Sequence, residues 1–332
     1  MLSYLARRLL LMVPTLLVTS FIIFAIIQAP PGNYLDTYIT ELQSRGESVD
    51  EGRIAFLREE YGLDKPFLEQ YADWVGNMLV GDFGFSFEYQ LPVNAVVGDR
   101  LWLTFLVSFV TIIFTWVVAF PIGIYSAVRQ YSIGDYAATT LGFIGLATPN
   151  FLLALILMYF MNVWFGVQIG GLMDDQYLDQ GFSLDKLLSV LAHLIVPVIV
   201  IGTSGTAGMI RRLRANLLDE LNKQYVTTGR AKGLSSGKLL LKYPLRVSLI
   251  PFVADIGNYL PSLVSSAAVV SIVMNLPTTG PMLIQALKVQ DMYLAGSFLM
   301  FLSMLTIVGM MISDLALAAL DPRIRLEGGS QK

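Results

Sequence analysis

The chain has 332 residues, of which 55% are hydrophobic and only 14% are charged, whereas soluble domains carry roughly 25% charged residues. This composition and a mean hydropathy of +0.63 exclude an ordinary soluble domain and indicate a membrane protein. With no cysteine and a single histidine, His193, the sequence excludes disulfides, thiolate metal sites and a histidine metal cluster. We expect His193 to hydrogen-bond within the bundle or near its outer interface.

Six apolar stretches are long enough to cross a bilayer, which takes about 20 residues. The first follows Arg7 and Arg8 and is longer than the apolar core of a signal peptide, which has roughly 7–15 residues. Because Pro30 and Pro31 follow it in place of a cleavage site, we expect it to remain as a span. The sequence predicts an all-α membrane protein with six transmembrane helices, at residues 9–29, 101–128, 136–165, 187–210, 247–275 and 293–320.

The placement of charges predicts the orientation of these spans. Residues 1–8, 129–135, 211–246 and 321–332 together hold 15 of the 22 basic residues and only five acidic ones. The positive-inside rule predicts that these segments are cytoplasmic, so both termini are expected inside. The opposite segments hold seven basic and 18 acidic residues, and they are residues 30–100, 166–186 and 276–292.

The domain organisation follows from the spans. We predict an N-terminal transmembrane helix at 1–29, an extracytoplasmic segment at 30–100, a five-helix core at 101–320 that includes a cytoplasmic loop at 211–246, and a cytoplasmic tail at 321–332. Apolar residues at helical spacing in the extracytoplasmic segment predict short amphipathic helices, which either cap the bundle or offer a docking surface. These residues are Phe56, Tyr61, Phe67, Tyr71, Trp74, Val75, Met78 and Leu79.

A basic run between the fourth and fifth spans, residues 225–251, reads YVTTGRAKGLSSGKLLLKYPLRVSLIP. Residues 225–232 predict a short helix, which Gly233 ends in a left-handed conformation. Ser235 is placed to cap a second helix that includes Leu239. Its basic residues alone indicate only a positive-inside loop, but two short helices on the membrane face predict a knob that fits a groove on a cytoplasmic partner.

A carboxylate lies inside the fifth predicted span, where the sequence reads PFVADIGNYLP. A carboxylate at membrane depth costs roughly 2.5–3.5 kcal/mol on insertion scales, so it usually faces a cavity or a partner. Asp255, Asn258, Tyr259 and Ser262 are spaced by three or four residues, which places them on one helix face. Two interpretations stay open, since this face either lines a route for solute or packs against a partner subunit.

The run at 225–251 resembles the coupling-loop signature of inner-membrane permease subunits of ABC importers for dipeptides, oligopeptides and nickel. Family members typically read Tyr-Val-x-Thr-Ala-Arg-Ala-Lys-Gly-Leu-Ser, then His-Ala-Leu-Arg-Asn-Ala and a proline. The departures are Gly229, Tyr243, Pro244 and Val247. The matching residues are Tyr225, Val226, Thr228, Arg230, Ala231, Lys232, Gly233, Leu234, Ser235, Leu245, Arg246 and Pro251.

The resemblance extends over most of the chain. The start RRLLLMVPTLLVTSFIIFAIIQAPPG, the external LDKPFLEQYADWVGNMLVGDFGFSF and the closing LALAALDPRIR are similar to the family. The stretch LPTTGPMLIQAL at 276–287 departs from it, because the family carries Pro-Gly-Leu-Gly followed by a small amphipathic helix. This departure leaves peptides, oligosaccharides, nickel and other solutes open as cargo.

The resemblance implies a type I ABC importer permease fold with cytoplasmic coupling helices, in a bacterial or archaeal cytoplasmic (inner) membrane. Such a permease forms half of the pore beside a second homologous permease. It sits over two ATPase subunits, which bind ATP and Mg, and it receives substrate from an extracytoplasmic binding protein; no nucleic acid is involved. The residues implied in ATPase coupling are Tyr225, Thr228, Arg230, Ala231, Lys232, Gly233, Leu234, Ser235 and Arg246.

Two other classes of function are weighed against this one. A secondary transporter driven by an ion gradient often has inverted repeats and charges at the midplane, but Asp255 and His193 are not accompanied by a convincing repeat. An intramembrane enzyme needs a convergent catalytic set, which one histidine and no cysteine do not supply. The chain also lacks a P-loop, because Gly237 and Lys238 precede Leu239 in place of Ser or Thr. We therefore expect no catalysis, cofactor or metal on this chain.

Overall fold

A computed structural model describes residues 2–32, 34–44, 66–166, 169–177 and 183–320, with isolated positions between 52 and 65. Among these residues, five helices are long and apolar enough to cross a membrane, or six if one bent pair counts as a single span. Phe56, Tyr61 and the predicted tail at 321–332 lie outside the described residues. The five helices are α1 (Leu2–Gln28), α4 (Val93–Val128), α7 (Leu184–Leu221), α12 (Ile256–Val273) and α14 (Met292–Leu320).

One compact unit contains residues 1–103 and 278–308. Here α1 packs against α3 (Phe67–Leu79) through aromatic residues, because the apolar face of α3 needs cover. The Phe24 ring lies 5.2 Å from Phe67 and 5.5 Å from Trp74, measured between ring centroids. The Ser20 and Tyr71 hydroxyls are 2.8 Å apart. A helix is thus present at α3, within the segment 30–100 for which short amphipathic helices were predicted.

The same unit holds a short hairpin, in which β1 (Phe85–Ser86) pairs antiparallel with β2 (Leu91–Pro92). Phe87 in its turn stacks on Tyr34 of α2 (Tyr34–Ser44) at 4.7 Å between ring centroids. The short helix α13 (Thr279–Lys288) follows Pro277, and Gln285 donates a hydrogen bond to Glu88 beside the hairpin (3.0 Å). A small helix is therefore formed by most of the divergent stretch at 276–287 itself.

Among the described residues, the second compact unit contains 104–277 and 309–320. Helix α7 packs against α5 (Ile133–Ala147), α6 (Asn150–Phe165), α10 (Pro244–Ser248) and α12. Most of its buried residues are apolar, and their burial against four helices makes α7 the centre of the unit. The apolar cluster at its basic end includes Ala119, Met209, Leu213, Leu217 and Phe252.

The third predicted span, 136–165, is not one helix. It consists of α5 and α6, which meet at an angle of 103°. Thr148 adopts an extended conformation (φ −84°, ψ 120°) before Pro149, as expected because the proline ring disfavours helical geometry in the preceding residue. The predicted span is therefore a bent pair, which counts as the sixth span if the two helices cross the membrane together. Hydropathy did not reveal the break.

The fifth predicted span, 247–275, is also interrupted. The chain forms α10, then α11 (Ile250–Ala254), and only then the long helix α12. Pro251 has no backbone N–H to continue the α10 ladder, and the Ser313 hydroxyl of α14 donates to the Val253 carbonyl (2.7 Å). The apolar pattern therefore located the segment but missed its broken start, at which Asp255 lies.

Candidate coupling site and translocation face

The basic run begins where α7 ends. Helix α8 (Gln224–Ala231) starts three residues after Leu221. The Tyr225 hydroxyl donates a hydrogen bond to the Glu220 carboxylate. Burial, together with that hydrogen bond and the Glu220 charge, raises the pKa of Tyr225 to about 12. The phenol therefore stays neutral at physiological pH and ties the first turn of α8 to the last turn of α7.

Helix α8 ends as the sequence predicts, at Gly233. This glycine has a φ of +78°, and its N–H donates to the Arg230 carbonyl (2.9 Å). The next N–H, of Leu234, donates to the Gly229 carbonyl (3.2 Å). These two bonds form a Schellman motif, which satisfies carbonyls that the helix end leaves free. The chain is thereby turned toward α9 (Ser236–Lys242).

Ser235 precedes α9 in an extended conformation (φ −63°, ψ 145°), as a residue before a helix does. Its side chain makes no capping hydrogen bond. Its carbonyl instead accepts the first bond of the helix, from the Leu239 N–H (2.9 Å). The predicted position of the helix start is confirmed, whereas the side-chain cap is not formed.

The contact between the two helices depends on residues outside the predicted site. Val226 on α8 and Leu239 on α9 are 1% and 2% exposed. A Cβ atom added at Gly229 would lie only 2.5 Å from Leu239 Cδ1. The glycine that departs from the family signature therefore lies under a leucine that packs directly on α8. The pairing of Gly229 with Leu239 is the signal in the sequence that our prediction overlooked.

The outer surface of this helix pair is open. Leu234 is half-buried, and the other predicted coupling residues are exposed: Tyr225, Thr228, Arg230, Ala231, Lys232, Gly233, Ser235 and Arg246. The buried side is fixed to the bundle, because Leu240 packs on the cluster that contains Leu213 and Leu217. The pair is a projection mounted on the bundle, with one basic residue on α8, Arg230, and two on α9, Lys238 and Lys242.

Asp255 lies at the break between α11 and α12 and is paired with an arginine. Arg212 of α7 donates from Nη1 to Asp255 Oδ2, and its guanidinium lies 5.2 Å from the Phe252 ring centroid. Both charged side chains remain partly exposed, at 45% for Arg212 and 41% for Asp255. Sequence reasoning gave Asp255 no partner on this chain, because Arg212 is 43 residues away.

The other predicted pathway residues divide between two environments. Asn258 and Ser262 are exposed, and the Ser262 hydroxyl donates to the Asn258 carbonyl (2.7 Å). Tyr259 is half-buried and packs on the apolar cluster, and its hydroxyl lies 3.2 Å from where a Cβ of Gly205 would be. The exposed face of α12 therefore carries Asn258 and Ser262, while Tyr259 turns toward α7.

His193 lies in a separate polar cluster. It is 3% exposed, its Nδ1 is 2.9 Å from the Ser189 carbonyl, and its Nε2 is 3.8 Å from Asp174 Oδ1. The Ser189 hydroxyl donates to Asp174 (2.7 Å), so the cluster ties the segment at 169–177 to α7. A cavity of about 360 Å³ adjoins it. Within the described part of the chain, no group of three acidic, histidine or cysteine side chains is arranged to hold a metal.

Comparison with known proteins decides the family. Residues 119–326 match the family described as binding-protein-dependent transport system inner membrane component, and residues 1–108 match the N-terminal region of such membrane components. The chain belongs to this family. It is a permease component of a binding-protein-dependent transport system of the inner membrane, and it is not itself an enzyme. Membership of such a system implies a solute-binding protein and ATPase subunits as partners.

Several relatives match this permease over almost its whole length. The oligopeptide transport system permease protein AppB of Bacillus subtilis is 34% identical, over 98% of this chain and 99% of the relative. The dipeptide transport system permease protein DppB of Escherichia coli K12 is 31% identical, over 98% and 99%. The oligopeptide transport system permease protein OppB of Mycobacterium bovis is 30% identical, over 98% and 100%.

Proposed function

We propose that this permease forms half of the translocation pore of an ATP-driven peptide importer, beside a second homologous permease and above two ATPase subunits. The observation that carries the proposal is the helix pair α8 and α9. The two helices pack together through the buried residues Val226 and Leu239, and α8 ends at Gly233. The outer side of the pair is exposed. Such a mounted helix fits a groove of a partner and transmits its movement. ATP and Mg are bound by the ATPase partners.

Peptide cargo is proposed from two observations. The relatives AppB, DppB and OppB carry oligopeptide or dipeptide transport in their names. The exposed face of α12 presents an amide and a hydroxyl, from Asn258 and Ser262, without the ring of charges that selects a small ion. A neutral polar face suits the varied side chains of peptides, so the binding protein is expected to set the specificity.

The direct test is uptake by proteoliposomes that contain both permeases, the ATPase subunits and the binding protein. We expect ATP-dependent uptake of labelled peptide, and no uptake of nickel or oligosaccharide. Exchange of the binding protein for one of different specificity is expected to change the cargo accordingly. Retention of the original specificity would show that this permease itself selects the solute.

The coupling role is tested separately, by cysteine cross-linking. Because this chain contains no cysteine, an introduced cysteine is its single reactive thiol. A single cysteine in place of Ala231, on the outer side of α8, is expected to cross-link to an ATPase subunit. A cysteine in place of Thr40, on the exposed side of α2, is the matched control and is expected to give no such product. Equal cross-linking at both positions would remove the coupling assignment.

The proposed topology places α8 and α9 in the cytoplasm with both termini, and residues 30–100 outside. Single cysteines in place of Ser44 and Ser236 are both on exposed helix positions. An impermeant thiol reagent applied to intact cells is expected to label the first and not the second. Labelling of both from outside would contradict the topology without affecting the family assignment.

A further inference from the structure

A groove lies between α5 and α7, away from the coupling helices and from the exposed face of α12. It has a volume of about 290 Å³, near the lower end of the range for ligand sites. One end is polar and the other is apolar. The lining residues used below are Tyr131, Tyr136, Thr139, Phe143, Leu146 and Arg211.

The polar end carries a positive charge that the described residues do not neutralise. Two arginines line it, but Arg214 is already paired with Asp135 through two hydrogen bonds, Nε to Oδ1 at 2.9 Å and Nη2 to Oδ2 at 2.8 Å. Arg211 is exposed, and none of the described carboxylates lies within 4.0 Å of it. Arg211 therefore offers a net charge of +1 at the mouth of the groove.

Two tyrosines line the same groove. Tyr131 is 69% exposed and Tyr136 is 60% exposed. Tyr131 is held at a φ of +63°, and its N–H donates to Asp135 (3.0 Å). Exposed tyrosines beside an arginine, at the point where an apolar helix begins, are typical of the level of lipid headgroups. The polar end of the groove is thus placed at the membrane interface by its composition.

The apolar end extends along α5. Helices α5 and α7 are in contact along it, since a Cβ added at Gly142 would lie at the ordinary contact distance of 3.6 Å from the Ala207 Cβ. Beyond it, Phe143 and Leu146 remain largely exposed. From Tyr136 to Leu146 the helix rises about 15 Å. The groove is therefore an elongated strip whose length is about half the thickness of the hydrocarbon core of a bilayer. A cation lies at one end, and apolar side chains lie at the other.

We propose that this groove binds an anionic phospholipid, with the phosphate at Arg211 and one acyl chain along Phe143 and Leu146. Basic pockets between transmembrane helices at the headgroup level recognise anionic lipids in this way. A free phosphate would use the arginine but would gain nothing from the apolar strip. An apolar transmembrane helix of a partner would cover the strip but would leave the Arg211 charge without an anion.

The test uses the purified transporter complex in nanodiscs of phosphatidylcholine, with and without phosphatidylglycerol. In native mass spectrometry, we expect the wild-type complex to keep bound phosphatidylglycerol. In thermal unfolding, we expect phosphatidylglycerol to raise the Tm of the wild-type complex. Arg211→Gln is expected to lower the preference for phosphatidylglycerol about fivefold, and Arg211→Lys is expected to keep most of it. Lys223→Gln, at an exposed basic residue outside the groove, is the charge control and is expected to keep the preference.

The apolar half of the site is tested by a matched pair of neighbours. Thr139 lines the groove and Thr140 does not, although both are exposed on α5. Thr139→Phe is expected to fill the groove and displace the lipid, whereas Thr140→Phe is expected to leave it bound. Because the two positions bear the same substitution, a general loss of folding would affect both.

Three results would overturn the proposal. The first is unchanged lipid retention in both Arg211→Gln and Thr139→Phe. The second is an equal rise of Tm when inorganic phosphate is added to nanodiscs of phosphatidylcholine alone, since the site would then take a free anion. The third is loss of the second permease from the complex in Thr139→Phe with lipid retention intact, since the groove would then be a subunit contact.

Discussion

The carboxylate of Asp291 accepts a hydrogen bond from the Ser86 hydroxyl at 2.7 Å, and both residues are fully buried. The same carboxylate oxygen accepts from the Glu88 N–H (3.1 Å), and the other oxygen accepts from the Leu294 N–H (3.1 Å) at the start of α14. Asp291 therefore caps α14 and holds the hairpin of β1 and β2 against it. The Asp291 side chain thus links two segments that are 205 residues apart in the sequence.

The first prediction concerns the strength of this link. Ser86→Ala removes one of the two hydrogen bonds to this oxygen of the buried carboxylate, so we expect a loss of about 1.5–3 kcal/mol, as for hydrogen bonds to charged groups. In a double-mutant cycle with Asp291→Ala, the two losses are expected not to add. Thermal unfolding in detergent measures both. Ser303→Ala is the control, because that hydroxyl donates to the Leu299 carbonyl of its own helix (2.9 Å).

The second prediction concerns pH. Burial raises the pKa of Asp291 above its usual range, against the hydrogen bonds from Ser86 and from backbone N–H groups, which lower it. A raised pKa in the folded state means that the carboxyl favours folding most below the unfolded pKa, near 3.9, and less as the pH rises through the folded pKa. The Tm of the wild type, measured relative to that of Asp291→Asn, is therefore expected to fall as the pH rises above about 4. A relative Tm that rises with pH would contradict the assignment.

The third prediction concerns the end of α8. Gly233→Val places a β-branched residue at a φ of +78°, which costs roughly 1–3 kcal/mol of local strain. We expect the projection to be displaced, so that transport and substrate-stimulated ATP hydrolysis fall about tenfold or more, while the protein remains in the membrane. Gly237→Val is the control, because Gly237 lies inside α9, where no atom is within 4 Å of an added Cβ. Normal transport by Gly233→Val would remove the coupling assignment.

The fourth prediction concerns the approach of α12 to α14. A Cβ added at Gly257 would lie 2.6 Å from the Gly309 carbonyl oxygen and 2.5 Å from its carbon. Backbone atoms do not yield as a side chain does, so Gly257→Ala is expected to cost about 1–3 kcal/mol and to lower the Tm of the purified protein. Gly208→Ala, at a helical glycine with open space around it, is expected to leave the Tm within a degree or two. Equal shifts in both variants would contradict this close approach.

The fifth prediction concerns Asp255. Because the pair with Arg212 is partly exposed, its contribution to stability is expected to be small, about 0–1 kcal/mol. Asp255→Asn is expected to change the transport rate several-fold while the permease still assembles with its partners. Arg212→Gln is expected to have a similar effect, and the double variant no larger one, if the residues act as a pair. Loss of assembly with an intact transport rate in the remaining complexes would favour an interface role for Asp255.

Much of the fold is set by local and compositional features of the sequence. Hydropathy placed the spans because each must bury its backbone polar groups in its own helix. The positive φ of Gly233 and the position of Ser235 were predicted because a helix end is decided by a few adjacent residues. The family signature at 225–251 was readable for the same reason, since all its residues lie in one short segment.

The tertiary structure decided the relationships between distant residues. Hydropathy does not register the break at Pro149, because a bent pair is as apolar as a straight span. Nor does it reveal that Asp255 meets Arg212, that Gly257 touches Gly309, or that Gly229 lies under Leu239. Each of these depends on which helix faces are brought together and at what distance, and that is fixed only when the whole set of side chains packs at once.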